Sequence, residues 1–296
     1  MASLRTIRNS IRAKRNMQKI TKALKVVSAA KLRRAQDAVV RARPYAQAID
    51  ELLASLARDR ADDEAPPHPL LQVRKVRKVE VVLMTSDRGL CGGFNANVIR
   101  RGQRFLVEEG AGLASVQFST VGGRGRDFAK KKNLHSRKDY AGFFGKLRFG
   151  NAKEIADDLI HAYLEGELDA VYILYNEFKS AIAQQISLKQ ILPIVPPAVA
   201  AGAAEAQSLV RAPHLYEPSR PAVLRDLLPR YLAMQVWRAL LESEASEHGA
   251  RMTAMDAATK NASEMIGSLT LDYNRARQAA ITKELMEIVS GAEALK

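Results

Sequence analysis

One apolar stripe in the last seventy residues constrains the fold of this chain more than any other feature. From Asp226 to Lys296 there is a single proline, Pro229, near the start, where a helix tolerates it. Apolar residues recur there mostly at steps of three and four, the period of one helix face. They are Leu232, Val236, Leu240, Met252, Met255, Ala258, Ala262, Met265, Leu269, Tyr273, Ala276, Ala280, Leu285 and Ile288. Roughly 65 residues make a helix of about 100 Å, so something else must cover part of this stripe.

A second long helix is predicted over Ser3–Arg60, with Ser3 as its N-cap. Its apolar stripe contains one slip in phase, between Ile11 and Met17, and Pro44 is expected to kink or end the helix. The stripe comprises Leu4, Ile7, Ile11, Met17, Ile20, Leu24, Val27, Ala35 and Ala38. Through Gln36 the helix carries eleven Lys or Arg residues and no acid. Because like charges one turn apart repel, an acidic surface is expected to face it.

Composition narrows the class of protein. The net charge of +14 favours an acidic partner, which can be nucleic acid, an anionic membrane or an acidic protein surface. The single cysteine, Cys91, excludes an internal disulfide and a cysteine-based zinc site. No apolar run approaches the ~18 residues of a membrane span, and the N-terminus lacks the apolar core of a secretion signal.

Between the two helices the apolar pattern changes to short runs that alternate with helical stretches. Strands are predicted at Val79–Thr85, Ser115–Val121, Asp169–Tyr175 and Ala183–Ile191, and helices at Ala96–Glu109, Arg124–Lys132 and Ala152–Glu165. This alternation predicts an α/β layer with a largely parallel sheet. The predicted fold is an antiparallel coiled coil of long terminal helices with an inserted Rossmann-like α/β domain. The expected divisions are 1–60, 76–192, a linker or foot at 193–221, and 222–296.

Small-molecule sites find little support in the sequence. Gly89, Gly92 and Gly93 follow a predicted strand and precede a helix, a context that can cradle a phosphate. However, their spacing is neither G-x-G-x-x-G nor that of a P-loop, so a tight turn is the favoured interpretation. The five histidines have no metal-ligand spacing. No catalytic residue, cofactor or metal site is therefore predicted.

Three blocks of residues resemble one known family. The first is Gln18–Ala23 with Lys31–Arg33, and the second is the glycine-rich turn Thr85–Asn95. The third is Glu244 and Ala245 through Arg251–Met255, then Asn274–Leu285 and Glu287–Gly291. In their order and spacing over the whole chain they are similar to the γ subunits of F-type ATP synthases, the rotor shafts of those complexes. The middle domain is similar more loosely.

The resemblance implies a non-catalytic shaft inside a hexamer of alternating α and β subunits, with catalysis in the β subunits. Further implied partners are the ε subunit and the membrane c ring, with proton flow through that ring turning the shaft. The implied contacts with the hexamer are Lys19, Lys22, Asp87, Cys91, Arg251, Arg277, Gln278, Thr282 and Glu284. Tyr216 and Glu217 match the foot that meets the c ring. The implied location is the cytoplasmic side of a bacterial inner membrane, with peripheral attachment through the complex.

Two rival hypotheses are kept beside this one. A basic helix joined to a coiled coil also fits a nucleic-acid-binding protein, although apolar positions run through the basic region itself. The α/β domain also fits an enzyme with a Rossmann-like nucleotide site. Duplex DNA binding with a steep salt dependence indicates the first rival, and tight nucleotide binding by the isolated chain indicates the second.

Overall fold

The computed structural model describes residues 3–58, 68–181, 183–196, 217 and 219–293. Its helices and strands, in chain order, are α1 (Leu4–Arg58), β1 (Lys78–Met84), α2 (Phe94–Glu108), β2 (Ser115–Val121), α3 (Gly123–Lys131), β3 (Ser136–Tyr140), α4 (Phe149–Leu164), β4 (Ala170–Phe178), β5 (Gln184–Leu192) and α5 (Arg220–Glu293). The chain divides into two compact units. The helix-pair unit is Met1–Ala29 with Arg251–Lys296, and the sheet unit is Ala30–Ala250.

The sheet unit contains a five-stranded sheet in the order β3-β2-β1-β4-β5. The pairs β1–β2, β1–β4 and β2–β3 are parallel, and β5 adds antiparallel to β4. This is the doubly wound order of dinucleotide-binding folds with an antiparallel last strand. The largely parallel, Rossmann-like layer predicted from the sequence is therefore confirmed.

Strand β3 was not predicted from the sequence. Its residues, Ser136 to Tyr140, are mostly polar, and only Tyr140 is fully buried. The strand is fixed by pairing with β2 and by ion pairs, since Arg137 reaches the buried carboxylate of Glu80 on β1. No apolar alternation marks such an edge strand, because side-chain charge and not burial holds it in place.

Helices cover both faces of the sheet. On one face, Val79, Val81 and Leu83 of β1 pack with Val98 and Phe105 of α2. On the other face, a larger core joins β1 and β4 to α4, the second half of α1 and the first half of α5. Its members include Ile49, Leu53, Leu56, Val82, Met84, Ile155, Leu159, Leu228, Leu232 and Val236. Continuous apolar runs in β1 and β4 follow from this burial on both faces.

Within the sheet unit, α1 and α5 run antiparallel. Arg220 at the start of α5 donates to the carbonyl of Leu56 near the end of α1, and Gln235 donates to Asp50 at 3.3 Å. Pro44 lies inside α1, which continues beyond it to Arg58, so of the two expectations, a kink or an end, the end is excluded. Burial of Ile49, Leu53 and Leu56 beyond the proline offsets the hydrogen bond that proline cannot make.

In the helix-pair unit the same two helices are again antiparallel. Cross-helix contacts join Arg8 to Tyr273 at 2.7 Å, Gln18 to Ser263 at 2.6 Å and Lys25 to Asp256 at 2.6 Å. Ser3 accepts a hydrogen bond from the Thr6 N–H at 3.2 Å, as its predicted N-cap role requires. The predicted antiparallel coiled coil is confirmed, and much of its seam is polar.

The predicted α1 stripe is wrong at three of its positions after Ile11, whereas Leu24, Ala35 and Ala38 are buried or half-buried as predicted. The seam continues through Lys14, Gln18, Thr21 and Ser28, which are buried or half-buried. Met17, Ile20 and Val27 were placed in the stripe from the sequence, but they are 47%, 61% and 52% exposed. On α5, Met265, Leu285 and Ile288 also lie exposed. The apparent slip arose because polar residues occupy seam positions while apolar residues face outward.

Candidate interaction surfaces

The crevice at the carboxyl ends of β1 and β4 is where doubly wound folds bind their ligands. Here α5 and the β1–α2 loop occupy that place. Asn176 at the end of β4 donates to the carbonyl of Phe94 at 3.4 Å, and Ser246 of α5 donates to the carbonyl of Asn176 at 3.0 Å. Cys91, Phe94 and Ala250 form a small buried cluster beside them. These contacts join β4, the β1–α2 loop and α5 across this part of the crevice.

The glycine turn that follows β1 is organised by its own side chains. The Asp87 carboxylate accepts hydrogen bonds from the N–H groups of Gly123 at 2.9 Å, Gly142 at 3.0 Å and Phe144 at 3.3 Å. The Thr85 hydroxyl accepts from the N–H of Gly125 at 2.7 Å. The amides at the start of α3, where a phosphate group would bind, are thus already partnered by side chains of the turn.

Cys91 and Asp87 were both predicted to contact a partner. The structure buries Cys91, whereas Asp87 is half-buried and binds backbone amides. The Cys91 thiol is 2% exposed and accepts a hydrogen bond from Asn95 at 3.2 Å. Leu90, in contrast, is 65% exposed and adopts a left-handed backbone with φ of 64°. Non-glycine residues rarely hold this conformation, and functional loops are enriched in it. The side chains that the turn presents to solvent are therefore those of Arg88 and Leu90.

The segment between β3 and α4 is fixed from two sides. Asp87 binds the amides of Gly142 and Phe144, and Glu244 of α5 accepts a hydrogen bond from the Gly145 N–H at 3.1 Å. Burial raises the pKa of Glu244, and the hydrogen bond from Gly145 and the charge of Lys31 oppose that rise. The two carboxylates connect the glycine turn to α5 through this segment.

Replacing Glu244 with glutamine is expected to raise the stability of the sheet unit at pH 7. A carboxyl whose pKa is raised on folding favours folding at low pH and opposes it as pH rises through the folded-state pKa. Glutamine keeps an acceptor for the Gly145 N–H without the buried charge. The gain should shrink as pH falls from the raised folded-state pKa towards the ordinary value of 4.5, and it should be absent below that value. Urea unfolding followed by fluorescence measures it, because the single tryptophan, Trp237, packs against the core of this unit.

The matched control is Glu154→Gln, which removes one negative charge from an exposed position on α4. It should show no comparable gain. A Glu244→Gln protein that is less stable than wild type by the same amount at pH 4 and pH 7 contradicts a cost of burying this carboxylate.

The outward face of α1 in the helix-pair unit combines cations with apolar side chains. Lys19 and Lys22, two predicted contact residues, are both exposed. Met17, Ile20 and Val27 lie exposed on the same stretch of helix. Sequence periodicity did not identify this apolar face, because it assigned these residues to the seam. Monomeric proteins rarely expose such apolar rows unless a partner covers them.

The last part of α5 carries the predicted polar cluster. Arg277, Gln278, Thr282 and Glu284 are all exposed, whereas Arg251 is half-buried. Arg8 lowers the pKa of Tyr273 through its hydrogen bond and charge, and Arg277 acts in the same direction. Every side chain from Ile281 to Ser290 is exposed, including Ile281, Leu285, Met286, Ile288 and Val289. The end of α5 thus extends past the stretch that α1 covers.

The predicted foot falls largely outside the described residues. Tyr216 is not among them, and Glu217 is exposed. Within residues 3–58, 68–181, 183–196 and 219–293, no group of three His, Cys, Asp or Glu side chains is placed to hold a metal ion. Among the helices that the structure describes, none is both long and apolar enough to cross a membrane.

An antiparallel pair of long helices, a sheet unit with a filled crevice, and outward faces of mixed apolar and charged side chains define a stalk subunit that acts through contacts with other chains. The family model described as ATP synthase matches residues 3–295. The ATP synthase gamma chain of Anaeromyxobacter sp. (strain Fw109-5) is 58% identical over 296 residues, and that of Geotalea uraniireducens (strain Rf4) is 50% identical over 297, each covering 100% of both chains. This chain belongs to the ATP synthase gamma-chain family, the rotor central stalks.

Solved structures agree on the fold. The central stalk and c ring of the Tetrahymena thermophila mitochondrial ATP synthase include a chain with a TM-score of 0.58 at 25% identity, covering 81% of this chain and 99% of that one. A rotor chain of the Euglena gracilis mitochondrial ATP synthase has a TM-score of 0.65 at 20% identity, covering 94% and 98%. The family assignment supports the stalk hypothesis and lends no support to the nucleic-acid-binding alternative.

Proposed function

We propose that this chain is the non-catalytic shaft that couples proton flow through a membrane ring to nucleotide chemistry in a surrounding α/β hexamer. The observation that carries the proposal is the outward face of the helix-pair unit. Met17, Ile20 and Val27 on α1 and Ile281 and Leu285 on α5 are exposed, next to cations. A monomeric protein rarely leaves a row of such side chains in water unless another chain covers them.

The proposed coupling depends on the asymmetry of the helix pair inside a threefold ring. A ring of alternating subunits presents three equivalent β sites, whereas the helix pair presents a different face in each direction. A partner shifts a conformational equilibrium only by its differential affinity for the states. Each 120° step would therefore bring a different face of the shaft to each β site and favour tight nucleotide binding at one site and release at another.

The proposed contacts follow the exposed residues. Lys19 and Lys22 supply positive charge towards an acidic surface of the β subunits, and Arg277, Gln278, Thr282 and Glu284 brace the end of α5 in the ring. At the glycine turn, Arg88 and Leu90 make the contact, with Asp87 and Cys91 beneath them. Arg251, which is half-buried, braces the shaft against the β subunits.

The α/β domain and the segment that follows it contact the rest of the rotor. The foot within 193–221 meets the c ring, and the ε subunit packs on the α/β domain at 76–192. The terminal helical parts, 1–60 and 222–296, form the shaft. Attachment to the cytoplasmic face of a bacterial inner membrane is peripheral, through the complex.

The test replaces Arg277 and Gln278 together with alanine and measures ATP hydrolysis by the assembled complex. We expect turnover to fall at least about tenfold, equivalent to ~1.4 kcal/mol of lost stabilisation, while α and β subunits still copurify. Lys260→Ala with Asn261→Ala is the matched control, since both residues are exposed on the same helix. Normal turnover at normal assembly in the Arg277 and Gln278 variant refutes the bracing role.

A further inference from the structure

The sheet unit contains a cavity of about 390 Å³ bordered by α1, the end of β4 and α5. Its apolar wall comes from small and aliphatic residues of both helices and from Phe178. Its charged wall comes from the side chains Arg43, Asp50, Glu177, Lys179, Arg238 and Glu242. A volume of this size with convergent polar groups is in the range of small-ligand sites.

The charges around the cavity are unevenly paired. Glu177 accepts from Lys179 at 2.6 Å, and the Oε1 atom of Glu242 accepts from Arg238 at 2.8 Å. The Oε2 atom of Glu242 is buried and has no hydrogen-bond partner within the described residues. The residue as a whole is 6% exposed. A buried carboxylate oxygen without a donor is costly, so a hydrogen-bond donor supplied by a ligand would stabilise it.

Asp50 adds a second acceptor on the α1 side. Its Oδ1 atom accepts from the amide of Gln235 at 3.3 Å, a long hydrogen bond from a neutral donor. Gln235 is itself held by Lys189, whose Nζ donates to it at 2.7 Å. Burial raises the pKa of Asp50, while the charges of Lys189 and Arg238 and the Gln235 hydrogen bond lower it. Two carboxylates therefore border one cavity with fewer donors than they can accept.

We propose that this cavity binds a primary ammonium or guanidinium group carried on a short aliphatic stem. The cationic head would donate to Asp50 and Glu242, and the stem would pack against Ala46, Met234 and Leu241. The head can come from a free alkyl amine or from a lysine or arginine side chain of another chain. A ligand in this position contacts α1, α5 and the β4–β5 hairpin at once.

The net charge makes binding of a cation diagnostic. At +14, the chain repels cations over most of its surface, and the cavity wall carries three cations beside its three carboxylates. Saturable binding of an amine therefore requires direct pairing with Asp50 and Glu242. The probes are 1,5-diaminopentane for a free amine, N-acetyl-lysine-N-methylamide for a protein side chain, and 1,5-pentanediol as the neutral analogue. Calorimetric titration of the full chain measures the affinity for each probe. A probe that binds the folded chain should also raise its unfolding temperature, which is followed by Trp237 fluorescence.

We expect one or both cationic probes to bind and the diol not to bind. The tighter of the two cations identifies the source of the head group. Asp50→Asn and Glu242→Gln should each weaken binding at least tenfold, whereas Asp272→Asn and Glu264→Gln, which remove the same charges from exposed positions, should not. Ala46→Phe fills the cavity without changing charge and should also abolish binding, which keeps the test valid if a charge variant fails to fold.

Absence of binding by both cations overturns the proposal, as does equal binding by wild type and the Ala46→Phe protein. The site is independent of the proposed shaft function. A failed titration leaves the hydrolysis result with Arg277 and Gln278 unchanged, and normal hydrolysis in that variant leaves the titration result unchanged.

Discussion

Replacing Gly122 with alanine is expected to unfold the sheet unit under conditions where the wild type is folded. Gly122 has φ of 97° and ψ of 144°, a conformation that residues with a side chain rarely adopt. A Cβ atom placed there would lie 2.1 Å from the carbonyl oxygen of Thr85. The expected costs are about 1–3 kcal/mol of backbone strain and about 1–3 kcal/mol of steric overlap. Their sum is a large part of the free energy of unfolding of a typical domain, which is about 5–15 kcal/mol.

The measurement is urea unfolding followed by Trp237 fluorescence, which reports on the sheet unit. Gly112→Ala is the matched control, because no atom lies within 4 Å of a Cβ at that position and its backbone is not left-handed. We expect the control to stay within about 0.5 kcal/mol of wild type. An unchanged unfolding midpoint for Gly122→Ala would show that the approach of Thr85 to Gly122 is wrong.

Replacing Arg137 with alanine is expected to lower the free energy of unfolding by about 3–5 kcal/mol, because the carboxylate of Glu80 stays buried without its partner. Glu80 is 0% exposed. Arg137 donates to its two oxygens from Nε at 2.7 Å and from a terminal nitrogen at 3.1 Å. Arg137→Ala therefore loosens β3 from β1 and β2, and its unfolding midpoint in urea should fall sharply.

Lys179→Ala is the control for this experiment, since it breaks a pair with Glu177 in which the lysine is 52% exposed. Exposed pairs contribute about 0–1 kcal/mol, so little change is expected. The double variant Glu80→Leu with Arg137→Met should recover most of the loss, because an apolar pair can replace a buried ion pair. If the double variant is as unstable as Arg137→Ala, the buried charge is not the cause.

Much of the fold was predictable because its signals are local. Apolar residues recur at steps of three and four in α5 and form continuous runs in β1 and β4. Each pattern can be read within its own segment, because it reflects which faces of that helix or strand are buried. Strand β2, predicted at Ser115–Val121, has those bounds in the structure. The strand order was not predicted, because the alternation of strands and helices indicates a parallel sheet but leaves several orders open, and β3 was missed.

Features that depend on tertiary partners were not predictable from local pattern. The seam position of Thr21 and the exposure of Met17 depend on which face of α1 meets α5, and hydrophobicity alone points to the wrong face. Strand β3 depends on Glu80, which is more than fifty positions away. The burial of Cys91 depends on Ala250, so its position inside the sheet unit could not be inferred from the glycine turn.

The shared core of the sheet unit has a consequence for biosynthesis. Ile49 and Leu53 of α1 and Leu228 and Leu232 of α5 belong to one cluster with the sheet between them in sequence. A nascent chain emerging from the ribosome exposes the α1 and sheet portions of that cluster long before α5 has been translated. Partly made chains that expose apolar surface tend to aggregate. The sheet unit therefore completes its core only after the first half of α5 has been made, and its nascent form should need chaperones until then.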